Sequence, residues 1–284
     1  MLRIAIQAKG RLSEQSLALL SEAGIEVDET KRKFLSRSSS FPVEILFLRD
    51  DDIPQAVGMG VADAGIVGYN EVLERGVNGV RVMDHLGFGS CRLSLAVPKE
   101  VPYTGLGWFE GKRIATSYPR ILKDFLLTKG INAVITTISG SVEIAPTVGM
   151  CDAIFDIVSS GGTLVSNGLV EVERVVSSEA IFVAGDNLPD EKRKMLEQIA
   201  FRFNAIKESR DKKYLLMNIP SAALDEAIRI VPAMRSPTVL PLAQKGWYSL
   251  HSVVDAGLLW DKIEQLKAIG AEGILVLSVE KMVL

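Results

Sequence analysis

The chain has 284 residues, 48% of them hydrophobic and 24% charged, and a formal net charge of -3 at pH 7. These values are typical of a globular protein with two or three domains, and the small negative charge gives no general attraction to nucleic acid or anionic membranes. Because the sequence shows neither a spanning apolar run nor a signal peptide, we expect a cytoplasmic protein that binds neither nucleic acid nor membrane.

Two units of strand, loop and helix open the chain. A predicted strand at 2–8 leads through Lys9 and Arg11 into a helix, and a strand at 43–48 leads through Arg49 and three aspartates into another. Ligands of open α/β sheets bind beyond the carboxyl ends of the strands, so these cations are candidates for contacts with phosphate. The alternative is a structural role, because solvated loops and helix N-termini use the same residue types.

The following segment is predicted to cross from one lobe into another. A short buried strand at 62–67 precedes Tyr69 and Glu71, which either face a ligand cleft or belong to a simple turn. The stretch 97–114 is rich in Pro and Gly, which indicates a crossing into a second lobe. A strand at 172–177 could return the chain to the first lobe. Other strands are predicted at 92–97, 112–116 and 133–138.

The stretch from Cys151 to Leu169 has the pattern that a phosphorylated sugar requires. A buried strand at 153–158 is followed by small residues that we call the glycine loop: Ser159, Ser160, Gly161, Gly162 and Thr163. Glycines let backbone N–H groups approach an anion, and a helix that starts after the loop favours negative charge at its N-terminus. Asp152 and Asp156 are candidates for accepting hydrogen bonds from ribose hydroxyls. The alternative is a tight turn in which Gly and Ser supply only geometry.

Cysteine and histidine are scarce, with two residues of each. Cys91 and Cys151 lack the spacing of metal ligands and lie in apolar surroundings, which predicts buried free thiols. His85 and His251 are far apart in sequence, so we expect neither a histidine zinc site nor histidine-based catalysis.

The last part of the chain follows a different pattern, which starts near residue 210. Strand, helix, strand, strand, helix and strand follow one another, which is the βαββαβ order of a ferredoxin-like domain. We therefore predict three domains, with the first two forming a two-lobed core. Their bounds are 1–90 with 177–209 for lobe I, 91–176 for lobe II, and 210–284 for the last domain.

Six blocks of this sequence resemble, in the same order, the long form of ATP phosphoribosyltransferase, the first enzyme of histidine biosynthesis. They are KGRLS at 9–13, RDDDIP at 49–54, GKRIATSYP at 111–119, GSVEIAP at 140–146, the run at 151–169 and SPTVLPLA at 236–243. The resemblance covers essentially the whole chain. It implies an α/β fold with a two-lobed catalytic core like the type II periplasmic binding proteins, followed by a ferredoxin-like, ACT-like regulatory domain.

The resemblance also implies a reaction. N1 of the adenine of ATP attacks C1 of phosphoribosyl pyrophosphate and gives N1-(5-phosphoribosyl)-ATP and pyrophosphate. Mg²⁺ would be bound mainly by the substrate phosphates, without a protein ligand that the sequence assigns. Histidine would act as feedback inhibitor, and the protein would form a homo-oligomer, either a dimer or a hexamer.

The matching positions imply which residues form the site. Those expected to be catalytic are Lys9, Arg49, Glu143 and Asp156. Those expected to bind substrate are Arg11, Asp152 and the residues of the glycine loop, Ser159, Ser160, Gly161, Gly162 and Thr163. Tyr69 is added to them because of its place after a buried strand. Histidine is expected to bind near Thr238, Ala271 and Gly273. The chemistry suits these residue types, because a neutral adenine nitrogen needs no strong base and an anionic leaving group is stabilised by cations.

Two other functions compete with this interpretation. A two-lobed sensor or solute-binding protein with an added regulatory domain would account for the cleft and the tail, but not for acids next to a glycine loop. A nucleotidase or kinase is less favoured, because the sequence lacks the Walker pattern GxxxxGK[ST]. Release of pyrophosphate from ATP and phosphoribosyl pyrophosphate distinguishes the transferase from both.

Overall fold

The computed structural model describes residues 1–27, 34–231 and 236–284. The chain divides into two compact units, Met1–Ala200 and Phe201–Leu284. Within the described ranges, no helix is long and apolar enough to cross a membrane. Both cysteines are free thiols, with Cys151 buried and Cys91 partly buried.

The first unit alternates strands and helices. Its strands are β1 (Leu2–Gln7), β2 (Leu35–Arg37), β3 (Val43–Leu48), β4 (Ala64–Gly68), β5 (Val80–His85), β6 (Cys91–Pro98), β7 (Arg113–Thr116), β8 (Val134–Thr137), β9 (Ala153–Val158), β10 (Leu169–Ser178) and β11 (Ala180–Gly185). Its helices are α1 (Arg11–Glu22), α2 (Ile53–Gly58), α3 (Tyr69–Arg75), α4 (Pro119–Lys129) and α5 (Gly162–Ser166), and α6 (Asp190–Ser209) continues into the second unit. Short 3₁₀ turns lie at Asp50–Asp52, Leu106–Phe109 and Val142–Ile144.

Lobe I is the sheet with strand order β2-β3-β1-β4-β11-β5, together with α1, α2 and α3. Strand β1 is parallel to β3 and β4, with Ile4 opposite both Ile45 and Ala64. Leu2, Ile4 and Ile6 on one face of β1 are buried, and so is Ala5 on the other. Burial on both faces is typical of a strand with helices on both sides of its sheet. The parallel strands end at one edge, which is where α/β proteins place their ligands.

Lobe II is the sheet with strand order β10-β6-β9-β7-β8, together with α4 and α5. Strand β7 is parallel to β8 and β9, so their carboxyl ends also share an edge. The predicted strand at 172–177 belongs to β10, which pairs antiparallel with β6 in this lobe. The expectation that it returns the chain to lobe I was therefore wrong. The return takes place at Glu179, between the end of β10 at Ser178 and the start of β11 at Ala180.

The second unit has the predicted βαββαβ order. Its elements after α6 are β12 (Lys212–Pro220), α7 (Leu224–Ile230), β13 (Thr238–Pro241), β14 (Trp247–Asp255), α8 (Leu259–Ala268) and β15 (Glu272–Ser278). The sheet order is β13-β14-β12-β15 and all its pairs are antiparallel, as in a ferredoxin-like domain. Every second residue of β12, namely Leu215, Met217 and Ile219, is fully buried against the helix side of this sheet.

Two strands, β2 and β5, have no counterpart in the sequence prediction. Strand β2 is three residues long, too short for a periodic pattern. Strand β5 lies at the sheet edge, and its residues are all exposed or half-buried, so burial imposes no alternation on them. After β8, Glu143 lies on a single 3₁₀ turn.

Candidate active site

Most of the predicted catalytic and substrate-binding residues lie where parallel strands end, and Asp152 is an exception. In lobe I, Lys9 follows β1, Arg49 follows β3 and Tyr69 follows β4. In lobe II, Glu143 follows β8 and the glycine loop follows β9. Tyr118 of lobe II, which follows β7, donates a hydrogen bond to Glu71 of lobe I. The two sets of carboxyl ends are therefore directly connected through protein contacts.

The glycine loop is open to solvent and shaped by one glycine. Gly161 has a φ of +83°, in the left-handed region that favours glycine, and it caps α5. The amide of Gly162 donates to the Ser160 hydroxyl at 3.4 Å. Ser159, Ser160, Gly162 and Thr163 are all exposed. Because the first turn of a helix leaves its N–H groups without helical partners, this loop presents donors to an anion.

Arg92 anchors the start of the glycine loop and was not predicted. Its guanidinium donates to the carbonyl oxygen of Ser159 at 2.9 Å and forms an ion pair with Glu171 on β10. The Ser94 hydroxyl donates to the same carboxylate at 2.8 Å. The hydrogen bonds from Arg92 hold the pKa of Glu171 below its ordinary value. Sequence reasoning missed Arg92 because Glu171 lies 79 positions away and only strand pairing brings them together.

Asp156 lies on β9 near the glycine loop, as predicted, and has an unusual environment. Burial, together with the nearby Glu143 carboxylate, raises its pKa to about 6. The Asp156 carboxylate accepts a hydrogen bond from the amide of Ile157 at 2.7 Å, which acts in the opposite direction. The structure thus brings the two predicted catalytic carboxylates together at the carboxyl edge of lobe II. Negative charge placed there can stabilise a cationic centre.

Asp152 lies at the other end of the same strand, and this corrects its assignment to the substrate. It precedes β9, so the length of β9 separates it from the glycine loop. Its carboxylate accepts a hydrogen bond from the Arg113 amide at 2.8 Å and pairs with the Arg113 guanidinium at 3.3 Å. The backbone hydrogen bond from Arg113 is the main reason why the pKa of Asp152 is lowered. Asp152 therefore joins the amino ends of β7 and β9.

The three predicted cations remain accessible on lobe I. Lys9, Arg11 and Arg49 are all exposed. Arg49 contacts Asp51 at 3.2 Å, and Arg75 contacts the same carboxylate at 3.1 Å. Exposed pairs of this kind are weak, so Arg49 can exchange its partner for a phosphate at little cost.

A buried polar cluster joins the lobes, and only Glu71 among its members was considered from the sequence. Tyr118 donates to Glu71 Oε1 at 3.0 Å, and the Asn70 amide group donates to the same oxygen at 2.8 Å. Ser178 donates to Asn70 Oδ1 at 2.8 Å. Burial, reinforced by the Asp50 carboxylate, raises the pKa of Glu71 to about 7. Tyr118 also follows a strand within the block GKRIATSYP, and that position was the signal that could have identified it.

A cavity of about 500 Å³ lies beside the chain segments that connect the lobes. Tyr69, a predicted substrate contact, lines it together with Ser159 of the glycine loop. His85 and the charged residues Arg92, Arg174 and Glu179 also line it. The cavity thus extends the region next to the glycine loop toward the connecting strands.

The predicted histidine contacts lie on opposite edges of the sheet in the second unit. Thr238 begins β13 at one edge, with His251 of β14 directly opposite. Ala271 precedes β15 and Gly273 lies on it, at the other edge. The edges are three strand spacings apart, about 14 Å. A single amino acid cannot span that separation within one chain.

The sequence matches two family models that together cover most of the chain. The model described as ATP phosphoribosyltransferase, HisG, matches residues 49–205, and the model of the HisG C-terminal domain matches residues 209–281. The chain belongs to the ATP phosphoribosyltransferase family. The presence of the C-terminal domain confirms the prediction of the long form.

Relatives named ATP phosphoribosyltransferase match over the whole chain. The protein of Bacteroides thetaiotaomicron is 57% identical over 283 residues and that of Phocaeicola vulgatus 58% identical over 284 residues, each with 100% of both chains covered. The predictions of an enzyme, and of an ATP phosphoribosyltransferase in histidine biosynthesis, are confirmed by this family membership.

Solved structures confirm the fold. The ATP phosphoribosyl transferase (HisG:HisZ) complex from Thermotoga maritima matches with a TM-score of 0.62 and 27% identity, over 72% of this chain and 99% of the other. A histidine kinase sensor domain similar to periplasmic binding proteins matches with a TM-score of 0.50 and 11% identity, over 73% and 90% of the two chains. The first unit of this chain therefore has the two-lobed fold that was predicted.

Proposed function

We propose that the chain transfers the phosphoribosyl group of phosphoribosyl pyrophosphate to N1 of the adenine of ATP, with release of pyrophosphate. One observation carries the assignment of the site: an open glycine loop lies at the same carboxyl edge of the lobe II sheet as Asp156 and Glu143. The loop suits a sugar phosphate and the carboxylates suit a sugar cation. The exposed cations of lobe I are placed for the leaving group.

Each part of the site has a separate task in this reaction. The backbone amides of Ser160 to Thr163 bind the 5-phosphate. Lys9, Arg11 and Arg49 contact the oxygens of pyrophosphate or triphosphate, because Arg and Lys form strong charge-assisted hydrogen bonds with phosphate. Asp156, assisted by Glu143, stabilises positive charge at C1 of the ribose as the pyrophosphate departs.

We assign the divalent cation to the substrates. In the described ranges, no three His, Cys, Asp or Glu side chains are grouped so that they could hold a metal ion. Mg²⁺ commonly keeps several waters and binds substrate phosphates with only one or two carboxylates, so the residues present are compatible with it. When bound, Mg²⁺ would neutralise charge on the pyrophosphate. Lys9, Arg11 and Arg49 would then orient that leaving group.

The assay is release of pyrophosphate from a mixture of ATP, phosphoribosyl pyrophosphate and Mg²⁺, with mass spectrometry of the nucleotide product. Asp156→Asn should lower kcat by about 100-fold, since it removes charge that the transition state uses. Asp152→Asn is the matched control, because it changes the same residue type at the other end of β9 and should retain activity. Binding of either substrate without any pyrophosphate release would favour the sensor or solute-binding alternative.

We further propose that the ferredoxin-like domain, 210–284, binds free histidine as a feedback inhibitor. Thr238 is the expected polar contact, with backbone groups of Ala271 to Gly273 completing the site. Because these residues lie on opposite sheet edges, one ligand could meet both sets only where β13 of one copy lies beside β15 of another. This requirement supports a homo-oligomer, for which a dimer or a hexamer is expected from the family resemblance.

A further inference from the structure

Helix α3 follows a strand of lobe I but packs against both lobes. Tyr69 and Val72 contact the buried cluster of lobe I that contains Ile53 and Val67. Leu73, on another side of the helix, packs against the buried cluster of lobe II. The helix therefore forms a structural bridge between the lobes.

Polar contacts at the exposed end of α3 strengthen this bridge. The Glu74 carboxylate accepts hydrogen bonds from the amides of Arg120 and Ile121, both at 3.0 Å. These amides lie in the first turn of α4, where N–H groups lack helical partners and negative charge is favourable. The Arg120 guanidinium donates back to the carbonyl oxygen of Arg75 at 3.3 Å.

The buried end of α3 carries a carboxyl group, that of Glu71, that can change its charge near neutral pH, because its pKa is raised to about 7. Glu71 is 5% exposed and Tyr118 is 8% exposed, and they meet at 3.0 Å across the lobes. Asn70 joins the same Glu71 oxygen to Ser178, the last residue of β10. One carboxyl oxygen therefore connects α3, the start of α4 and the last residue of β10.

The groups that face this pair are mainly acidic. The negative charges of Asp50 and Asp51 in lobe I destabilise the carboxylate form of Glu71 and raise its pKa. Arg75 and the hydrogen bond from Tyr118 stabilise the carboxylate and lower the pKa. The Cys91 thiol lies close enough for its pKa to be raised in part by Glu71. Asp156 of lobe II and Asp50 of lobe I both raise the pKa of Tyr118, after burial and Glu71 itself.

We propose that Glu71 is a positioning residue for the transfer reaction: its contact with Tyr118 holds the lobes closed around the substrates, and a neutral Glu71 holds them more firmly than a carboxylate. The proposal rests on the function given above. Its physical basis is that separation of the lobes would admit water to Glu71, and hydration favours the carboxylate. Protonation and closure are therefore thermodynamically linked, so each promotes the other.

The steady-state test compares KM for phosphoribosyl pyrophosphate between about pH 6 and about pH 8.5. In the parent, KM should rise by about fivefold or more across this range while kcat changes less, since a more open site binds the substrate less tightly. Glu71→Gln, which stays neutral and still accepts from Tyr118, should hold KM within about twofold. Tyr118→Phe removes the donor and should give a raised KM already at the lower pH.

The matched control is Glu74→Gln, which removes a negative charge from the same helix without touching Tyr118. Ionisation of the substrate affects this variant as it affects the parent, and Glu71 is unchanged. Its KM should therefore keep the pH dependence of the parent. A Glu74→Gln profile that flattens like that of Glu71→Gln would overturn the proposal, because general charge on α3 would then suffice. A parent KM that does not change with pH would also overturn it.

Hydrogen exchange of the full chain tests the same contact without activity. After correction for the intrinsic pH effect, the amides of Arg120 and Ile121 should be at least about threefold less protected at the higher pH in the parent. The same protection at both pH values would overturn the proposal even if Glu71→Gln failed to fold. If the parent showed the expected pH dependence of exchange but released no pyrophosphate, the proposed function would be contradicted and the lobe contact would remain supported.

Discussion

The glycine loop offers a pair of adjacent substitutions that separate folding from binding. Gly161 has a φ of +83°, so Gly161→Ala forces an L side chain into the left-handed region. That strain costs about 1–2 kcal/mol of folding free energy. Gly162 begins α5, and a Cβ atom there would meet only the Ser160 hydroxyl, at 3.6 Å, which is an ordinary contact. Gly162→Val should therefore change the free energy of unfolding by less than about 1 kcal/mol.

Binding of phosphoribosyl pyrophosphate should show the opposite order, with a larger loss of affinity in Gly162→Val than in Gly161→Ala. The added methyl groups of Gly162→Val occupy the space next to the exposed loop amides, where the proposed 5-phosphate must approach. Loss of one hydrogen bond to a charged group costs about 1.5–3 kcal/mol, which is roughly a 10- to 150-fold weaker affinity. The variant should thus fold like the parent and bind phosphoribosyl pyrophosphate poorly.

Two measurements are needed for each variant. Urea denaturation without ligand gives the free energy of unfolding, and isothermal titration with phosphoribosyl pyrophosphate and Mg²⁺ gives the affinity. An affinity of Gly162→Val within about threefold of the parent, roughly 0.7 kcal/mol, would show that the loop does not bind the phosphate. A large loss of stability in the same variant would show that the loop is packed more tightly than its exposure indicates.

Three further outcomes are expected. Arg49→Ala should lower kcat/KM by about 10- to 150-fold, equivalent to 1.5–3 kcal/mol of transition-state stabilisation, and parental kinetics would remove its role at the phosphates. Asp152→Asn should cost at most about 1 kcal/mol of stability, because its pair with Arg113 is partly exposed. Since the pKa of Asp152 is lowered by folding, its contribution to stability is present at neutral pH and is lost as pH falls through the folded-state pKa. A raised KM in the Asp152→Asn variant would instead show that Asp152 belongs to the substrate site. Thr238→Val should retain catalysis and lose inhibition by free histidine, and undiminished inhibition would place the effector elsewhere.

Local sequence patterns were enough for the features that depend on neighbouring residues. The apolar run before Ser159 and the glycines after it predicted a strand, a loop and a helix, and this order is present. Ser159 to Gly161 lie between β9 and α5, and Gly162 and Thr163 form the first turn of α5. The βαββαβ order of the tail was equally visible, because alternation and helical periodicity are local properties of a chain. The resemblance of blocks such as GKRIATSYP to a known family predicted the reaction, which hydrophobic periodicity cannot indicate.

Spatial neighbours were decided only by the tertiary structure. Asp152 and Asp156 are four positions apart and looked alike in sequence, but Asp152 precedes β9, whereas Asp156 lies in the half of the strand that leads to the glycine loop. Glu71 and Tyr118 are 47 positions apart, and their contact exists only because α3 packs on both lobes. The pKa of Glu71 depends on burial and on Asp50, neither of which a sequence pattern encodes. Sequence determined which groups were available, and packing determined their environment, because electrostatic energies depend on distance in space and on exclusion of water.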